Sequence, residues 1–187
     1  MSCAIEFDFQ PTLIGPRLTV RPIKVSDWQG MFTAASDPQI WVQHPASDRY
    51  QEAVFRNYFD GALASGSGFA FVDNSSGQIV GSSRYHGYDP AVHEVEIGWT
   101  FLTRPYWGGS YNAEVKHLML EHAFRFVDTV VFWVGASNWR SRRAMLKIGG
   151  VLRAGDWLRS HGATSEPYAV YEIRKDFPSW LNWEHDH

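Results

Sequence analysis

The run Val130-Val131-Phe132-Trp133-Val134-Gly135 is β-branched and aromatic, the composition of a buried strand rather than of a short helix. It sits between two stretches of helical periodicity. Before it, Asn112 to Val127 repeats apolar residues at Val115, Leu118, Met119 and Phe126; after it, Asn138 is placed to cap a helix to Ile148, which Gly149-Gly150 would stop. A chain with that alternation calls for a sheet with helices packed against it. Earlier segments agree. Arg17 to Ile23 alternates polar and apolar residues and reads as a first strand ended near Pro22. Ser26 reads as the N-cap of a helix carrying Trp28, Met31, Phe32 and Ala35 at helical spacing. Asp48 with Gln51 reads as a capping box opening a second helix toward Ala64, and Ser65-Gly66-Ser67-Gly68 ends it. Phe69 to Asp73 and Gln78 to Tyr85, joined by Asn74-Ser75-Ser76-Gly77, read as a hairpin. His93 to Leu102 adds another strand and Tyr168 to Ile173 the last. The expected class is α/β (α+β), one mixed sheet flanked by helices.

At 187 residues the chain has the length of one domain, and about 70% of its unfolded surface should be buried without a metal or disulfide staple. A single cysteine, Cys3, rules out an intramolecular disulfide and a cysteine metal cluster, and points to a reducing, cytoplasmic setting. With 17 basic and 20 acidic side chains the net charge is −3, so no global field recruits nucleic acid or an anionic membrane. No apolar run reaches the ~18–20 residues of a membrane helix, and the first residues lack the basic and apolar regions of a secretory signal. The polar end Glu184-His185-Asp186-His187 reads as a frayed tail. Aromatics at 16% suit a large core or an aromatic-lined pocket.

Two segments can carry chemistry. In Arg104-Pro105-Tyr106-Trp107-Gly108-Gly109-Ser110-Tyr111-Asn112-Ala113-Glu114, between a strand and a helix, paired glycines permit a tight turn and the helix start offers unpaired N–H groups, a combination that suits a pyrophosphate. The same glycines serve equally well to start a helix and nothing more. The segment is not a P-loop, since the Gly-Lys-Ser/Thr ending is missing. The second is Asn138-Trp139-Arg140-Ser141-Arg142-Arg143, where Asn138 and Ser141 can both face the end of the preceding strand. Its three arginines can attract phosphate or simply form a solvated face.

In these motifs the sequence resembles the GNAT superfamily of acyl-CoA-dependent N-acetyltransferases, in particular its ribosomal-protein N-terminal acetyltransferase branch. The resemblance rests on Leu18-Thr19-Val20-Arg21-Pro22-Ile23 with Asp27, Glu96-Ile97-Gly98-Trp99, Pro105-Tyr106-Trp107-Gly108, and Asn138-x-x-Ser141 before Lys147-Ile148-Gly149-Gly150. Together these span about residues 13–180 of a single domain, 1–187. The resemblance implies a seven-stranded mixed sheet splayed in its middle, with acetyl-CoA as cosubstrate in the opening and an amine as acceptor. It places the cofactor against Phe101, Leu102, Thr103, Trp107, Gly108, Gly109, Ser110, Tyr111, Asn112, Asn138 and Ser141. The family's phosphate-loop pattern falls on Trp107, Ser110 and Asn112, all of which depart from it. Its frequent proton-donating tyrosine falls on Met145, which cannot donate, so the resemblance assigns that role to Ser141. It makes Glu96 the candidate base, with Glu94 on the same strand face as a competitor.

The implied activity is transfer of an acetyl group to a primary amine by direct attack, a peptide or protein N-terminus or a small amine. Cys3, outside the matched segment, argues against an acyl-cysteine route. An α-amine with a pKa near 7.7–8.0 is about one-tenth neutral at pH 7, far more than a lysine, and so suits a weak base. The rivals are a degenerate module that binds CoA, peptide or a partner without catalysis, and a serine hydrolase built on Ser110, whose Gly108-x-Ser110-x-Asn112 lacks the last glycine of a nucleophile elbow. No metal is expected, because His117 and Glu121 lack a third ligand. His86 and His93 flank the meander loop and can reach the acceptor side. A homodimer stays open.

Overall fold

The computed structural model describes residues 6–161 and 164–176. Cys3, the polar end Glu184–His187 and the outer limit of the matched segment at Trp180 lie outside them. Strands β1 (Leu13–Ile14), β2 (Leu18–Pro22), β3 (Gly68–Asp73), β4 (Ile79–Asp89), β5 (Glu94–Leu102), β6 (Thr129–Gly135), β7 (Val151–Leu152), β8 (Trp157–His161) and β9 (Thr164–Arg174) form one sheet. The helices are α1 (Trp28–Ala35), α2 (Glu52–Ala64), α3 (Tyr111–Ala123) and α4 (Trp139–Lys147). Along the sheet the order is β1-β2-β3-β4-β5-β6-β9-β7, with β8 on β9. Among the described residues the sheet therefore has nine strands where the resemblance implies seven. Two of them, β1 and β7, are pairs of residues added at the periphery.

Among the described residues only β5 and β6 run parallel, as expected of strands joined through a helix. Their pairing covers Glu94↔Thr129, Val95↔Val130 and Glu96↔Val131 and then stops. β5 continues to Leu102 against β4. β6 continues to Gly135 against β9, as far as Gly135↔Tyr168. The sheet thus parts beyond Glu96 and Val131, and both faces of the opening are rigid because each strand is held on its other edge. Alternating residues feed two cores. Val95, Ile97 and Leu102 pack with Val115, Met119 and Leu120 of α3 on one face; Phe101 packs with Met31, Phe55 and Phe59 of α1 and α2 on the other. Each such side chain stabilises the fold by about 1.5–3 kcal/mol relative to exposure.

Three local expectations need correction. Ser26 does not cap a helix: a 3-10 turn over Val25–Asp27 comes first, and the Asp27 carboxylate accepts the Lys24 N–H at 2.7 Å. Asp27 can do this because Arg21 grips it with two bonds of 2.7 and 2.8 Å. Gln51 precedes α2 without a side-chain cap, so Asp48 and Gln51 make no capping box. The last strand begins at Thr164 rather than Tyr168 and pairs with β8, which the sequence pattern did not announce. Elsewhere the expected elements stand to within a few residues, α3 ending at Ala123 instead of Val127.

Candidate active site

The opening in the sheet is lined on one side by an irregular stretch of β5. Between Ser82↔Phe101 and Arg84↔Gly98, β5 spends one more residue than β4, a β-bulge. Trp99 takes φ +54 there, a left-handed conformation that a bulky residue adopts only when its surroundings compel it. Three contacts do so. Tyr58 of α2 donates to the Trp99 carbonyl at 2.7 Å, Ser83 Oγ donates to the Gly98 carbonyl at 3.0 Å, and Ser83 shares a 2.8 Å bond with Thr100 Oγ1. Beneath them Lys116 of α3, 2% exposed, donates to Thr100 Oγ1 at 2.6 Å and lies 5.2 Å from the Phe132 ring centre. Burial pulls its ammonium down to about 7, against the opposing field of Glu96. Lys116 escaped sequence reasoning because it sits one position from Val115 on the core-facing side of α3, where a lysine breaks the apolar stripe.

Glu96 lies where the strands part and is 4% exposed. Arg159 of β8 holds both its oxygens, at 3.0 and 2.6 Å, and the guanidinium lies 4.6 Å from the Trp133 ring centre and 5.4 Å from that of Trp99. Glu94 sits at the closed end of the same pair and is held by Arg153, which also binds Glu172. The structure separates the two histidines: the His86 ring meets Trp99 edge-on at 5.0 Å, while His93 approaches Asp128 at 3.8 Å.

The loop after β5 runs from a 3-10 turn over Arg104–Tyr106 to the start of α3. Trp107 leans back and donates its indole N–H to the Leu102 carbonyl at 2.8 Å; the Thr103 N–H is bonded to Val80 at 2.9 Å. Phe101 is part of the α1–α2 core. Of the two glycines it is Gly108 that takes the left-handed conformation, φ +74, so a side chain there is strained. Gly109 is free of this restriction, and a Cβ on it would meet Tyr111 at an ordinary 3.8 Å. From Gly108 through Ser110, Tyr111 and Asn112 to Ala113 the N–H groups find no acceptor among the described residues, and they stand at the positive end of a thirteen-residue helix. The Glu114 carboxylate in the first turn is turned away, accepting the N–H groups of Arg17 and Leu18 at 2.9 Å each.

At the end of β6, buried Asn138 caps α4 by accepting the Ser141 N–H at 3.1 Å. That bond fixes the first turn and leaves the Ser141 hydroxyl uncommitted among the described residues. Arg140 lies over the Trp107 ring at 4.0 Å and donates to the Ile40 carbonyl at 2.6 Å, bringing the starts of α3 and α4 to one side of the opening. Arg142 is spent on Tyr171 and the Ala136 carbonyl. Met145 is buried in the core. His117 and Glu121 approach to 3.9 Å, and no group of three metal-ligating side chains occurs among the described residues. No helix of the described residues is long and apolar enough to cross a membrane.

A parted parallel strand pair with free helix-start N–H groups beside it invites comparison with known acyl-transfer enzymes. Residues 17–151 match the family model described as an acetyltransferase (GNAT) domain. Among solved structures, a GCN5-related N-acetyltransferase from Brucella melitensis superposes with a TM-score of 0.83 at 18% identity, over 96% of this chain and 86% of that one. A GNAT-family acetyltransferase from Bacillus anthracis gives 0.71 at 21%, over 89% and 100%. RimJ of Mycobacterium smegmatis, solved with CoA-disulfide, gives 0.62 at 17%, over 89% and 87%. No curated protein sequence matches the chain. The fold and the family match make this protein an acetyltransferase. More narrowly, the chain belongs to the GNAT family.

Proposed function

We propose that the chain moves the acetyl group of acetyl-CoA onto a primary amine, that of a peptide or protein N-terminus or of a small molecule, by direct attack. The observation that carries this is the parting of β5 and β6 beyond Glu96 with the unbonded N–H groups of residues 108–113 beside it. Those N–H groups and the helix dipole suit the pyrophosphate of CoA, so the loop fits the cosubstrate although its sequence departs from the family's pattern. The cosubstrate supplies an activated thioester; the protein supplies position and proton handling.

In this mechanism Gly108 to Asn112 and the start of α3 hold the pyrophosphate. Phe101 to Thr103 line the opening, with Trp107 and Asn138 shaping its mouth. The neutral amine attacks the thioester carbon, a C–N bond forms as the C–S bond breaks, and Ser141 donates its proton to the departing sulfur. Glu96 receives the proton that the amine loses, directly or through water. Each of its oxygens accepts one bond from Arg159 and retains a second lone-pair position. Carboxylates are weak bases, which suits an amine already partly neutral at pH 7. Titration calorimetry with acetyl-CoA, followed by a thiol-release assay over a panel of amines, tests the proposal. Binding with amine-dependent thiol release is expected. Binding without release would reassign the chain as a non-catalytic module, and absence of binding would overturn the cosubstrate placement.

A further inference from the structure

The acceptor's chemistry is written into a cavity on the α2 side of the bulge. It has a volume of about 360 Å3, within the range that holds a small molecule, and Arg49, Asn57, Tyr58, Arg84 and Trp99 are among its walls. Arg84 stands on β4 opposite Gly98, two residues from the pair His86↔Glu96, and so shares a sheet face with Glu96. Diagonal neighbours of this kind lie about 7–8 Å apart. The Arg84 guanidinium stacks over Trp99 at 4.3 Å. It is 9% exposed, its Nη1 makes one long bond of 3.3 Å to the Gly61 carbonyl, and its buried Nε has no partner. Arg49, from the turn before α2, lies 5.0 Å from the Tyr58 ring centre and shares a 3.4 Å contact with His44.

Neither guanidinium forms an ion pair among the described residues. The acidic groups that act on them are Glu96, both of whose oxygens Arg159 already holds, and Asp48, which is exposed. Burial lowers both arginines from the ordinary guanidinium value, and the charge of Arg84 lowers Arg49 further; a guanidinium nevertheless stays protonated in a protein. Two cations facing one cavity without a counter-ion repel each other and lack solvation, a combination that an entering anion relieves. A planar guanidinium fork matches a planar carboxylate.

We infer that this cavity binds a carboxylate belonging to the acceptor, so that the amine acetylated here is one that carries a carboxylate a few bonds from its nitrogen. The inference rests on the acetyl-transfer reading for the amine's place beside Glu96, while the anion site itself stands on the cavity alone. The shared chemistry can come from the α-carboxylate of a free amino acid or from an acidic first residue of a peptide.

The experiment has a binding arm and a transfer arm. Calorimetry in the presence of CoA compares N-acetylaspartate, which offers both carboxylate placements, with its diamide, N-acetylasparagine amide. The diacid is expected to bind at least tenfold tighter. Arg84→Gln and Arg49→Gln should each remove most of that preference, and Arg84→Lys should retain part of it. Arg49→Gln serves as the independent variant, since the less buried Arg49 can be replaced with less risk to folding. Equal affinities, or a preference that survives both glutamine variants, would overturn the inference. In the transfer arm, glycine is compared with glycinamide and Asp-Ala-Ala amide with Asn-Ala-Ala amide. A tenfold advantage in kcat/KM for glycine identifies a free amino acid, and one for the aspartyl peptide an acidic N-terminus. Equal turnover within both pairs would overturn the inference and leave acetyl transfer standing; no turnover of any amine would count against acetyl transfer, with the anion site then decided by the binding arm.

Discussion

Replacing Lys116 by Met tests how the underside of the bulge is held. The ammonium is buried between α3 and β5, bonded to Thr100 Oγ1, and its value falls from 10.5 to about 7 through burial. At about 1.4 kcal/mol for each tenfold change, keeping the proton on it in the folded state costs about 4 kcal/mol at pH 7. Methionine has nearly the same length and no charge, and gives up one hydrogen bond worth about 1 kcal/mol. The variant should therefore be more stable by about 2–4 kcal/mol at pH 7. The sign of the pH dependence follows from linkage. The folded value lies below the unfolded one, so between about 7 and 10.5 the unfolded chain binds more protons and the stability of the unmodified protein climbs with pH. The penalty is complete below the folded value and gone above the unfolded one, and the advantage of Lys116→Met should shrink by about 2 kcal/mol between pH 7 and 9. Urea titrations of both proteins across that range measure the difference directly, other titrating groups cancelling. A variant less stable at pH 7, or a difference that does not move with pH, would refute the assignment of Lys116 as a buried cation with no bonded counter-ion among the described residues.

Gly108→Val should lower acetyl-CoA affinity at least tenfold in calorimetry, because Gly108 holds φ +74, whereas Gly109→Ala should stay within threefold. Ser141→Ala should cost about 10²–10⁴ in kcat with acetyl-CoA affinity retained; a loss of less than threefold would move the proton donor elsewhere. Glu96→Gln should reduce turnover at neutral pH and recover as rising pH deprotonates the amine in bulk, with Glu94→Gln as the control; a profile parallel to the unmodified enzyme would remove Glu96 from proton transfer. Burial pushes the Asp27 carboxyl up, but the bonds from Arg21 and the Lys24 N–H outweigh it and hold the value below the ordinary 3.8. Asp27→Ala should therefore cost about 3 kcal/mol at pH 7 by stranding Arg21, and the gap should narrow as pH falls through the folded value; an unchanged gap in acid would refute the pairing.

What the sequence made legible is what neighbours along the chain decide. The β-branched stretch that became β6, the alternation of β2 and the Asn138 cap all depend on residues within a turn or a strand, and all stand in the structure. β8 did not show because Trp157-Leu158-Arg159-Ser160-His161 carries no clean alternation, and Pro167 interrupts the strand it pairs with. Pairings across long separations were equally silent. Glu96 and Arg159 are 63 positions apart, and nothing local to Glu96 distinguishes a buried, paired carboxylate from one on a solvent face. Trp99 took a left-handed conformation without a glycine to announce it, under compulsion from Tyr58 and Ser83. Of the adjacent glycines 108 and 109, only the backbone reveals which one the turn requires.

The claim that the acetyl group passes directly from CoA to an amine is met most squarely by intact-mass spectrometry of protein and acceptor together, after a single turnover with isotopically labelled acetyl-CoA. Direct attack predicts the label on the nitrogen of the amine, free CoA in equal amount, and unlabelled protein whether or not an amine is present. A labelled protein that forms without acceptor and discharges when the amine is added would contradict it, as would unlabelled amine after full consumption of the thioester.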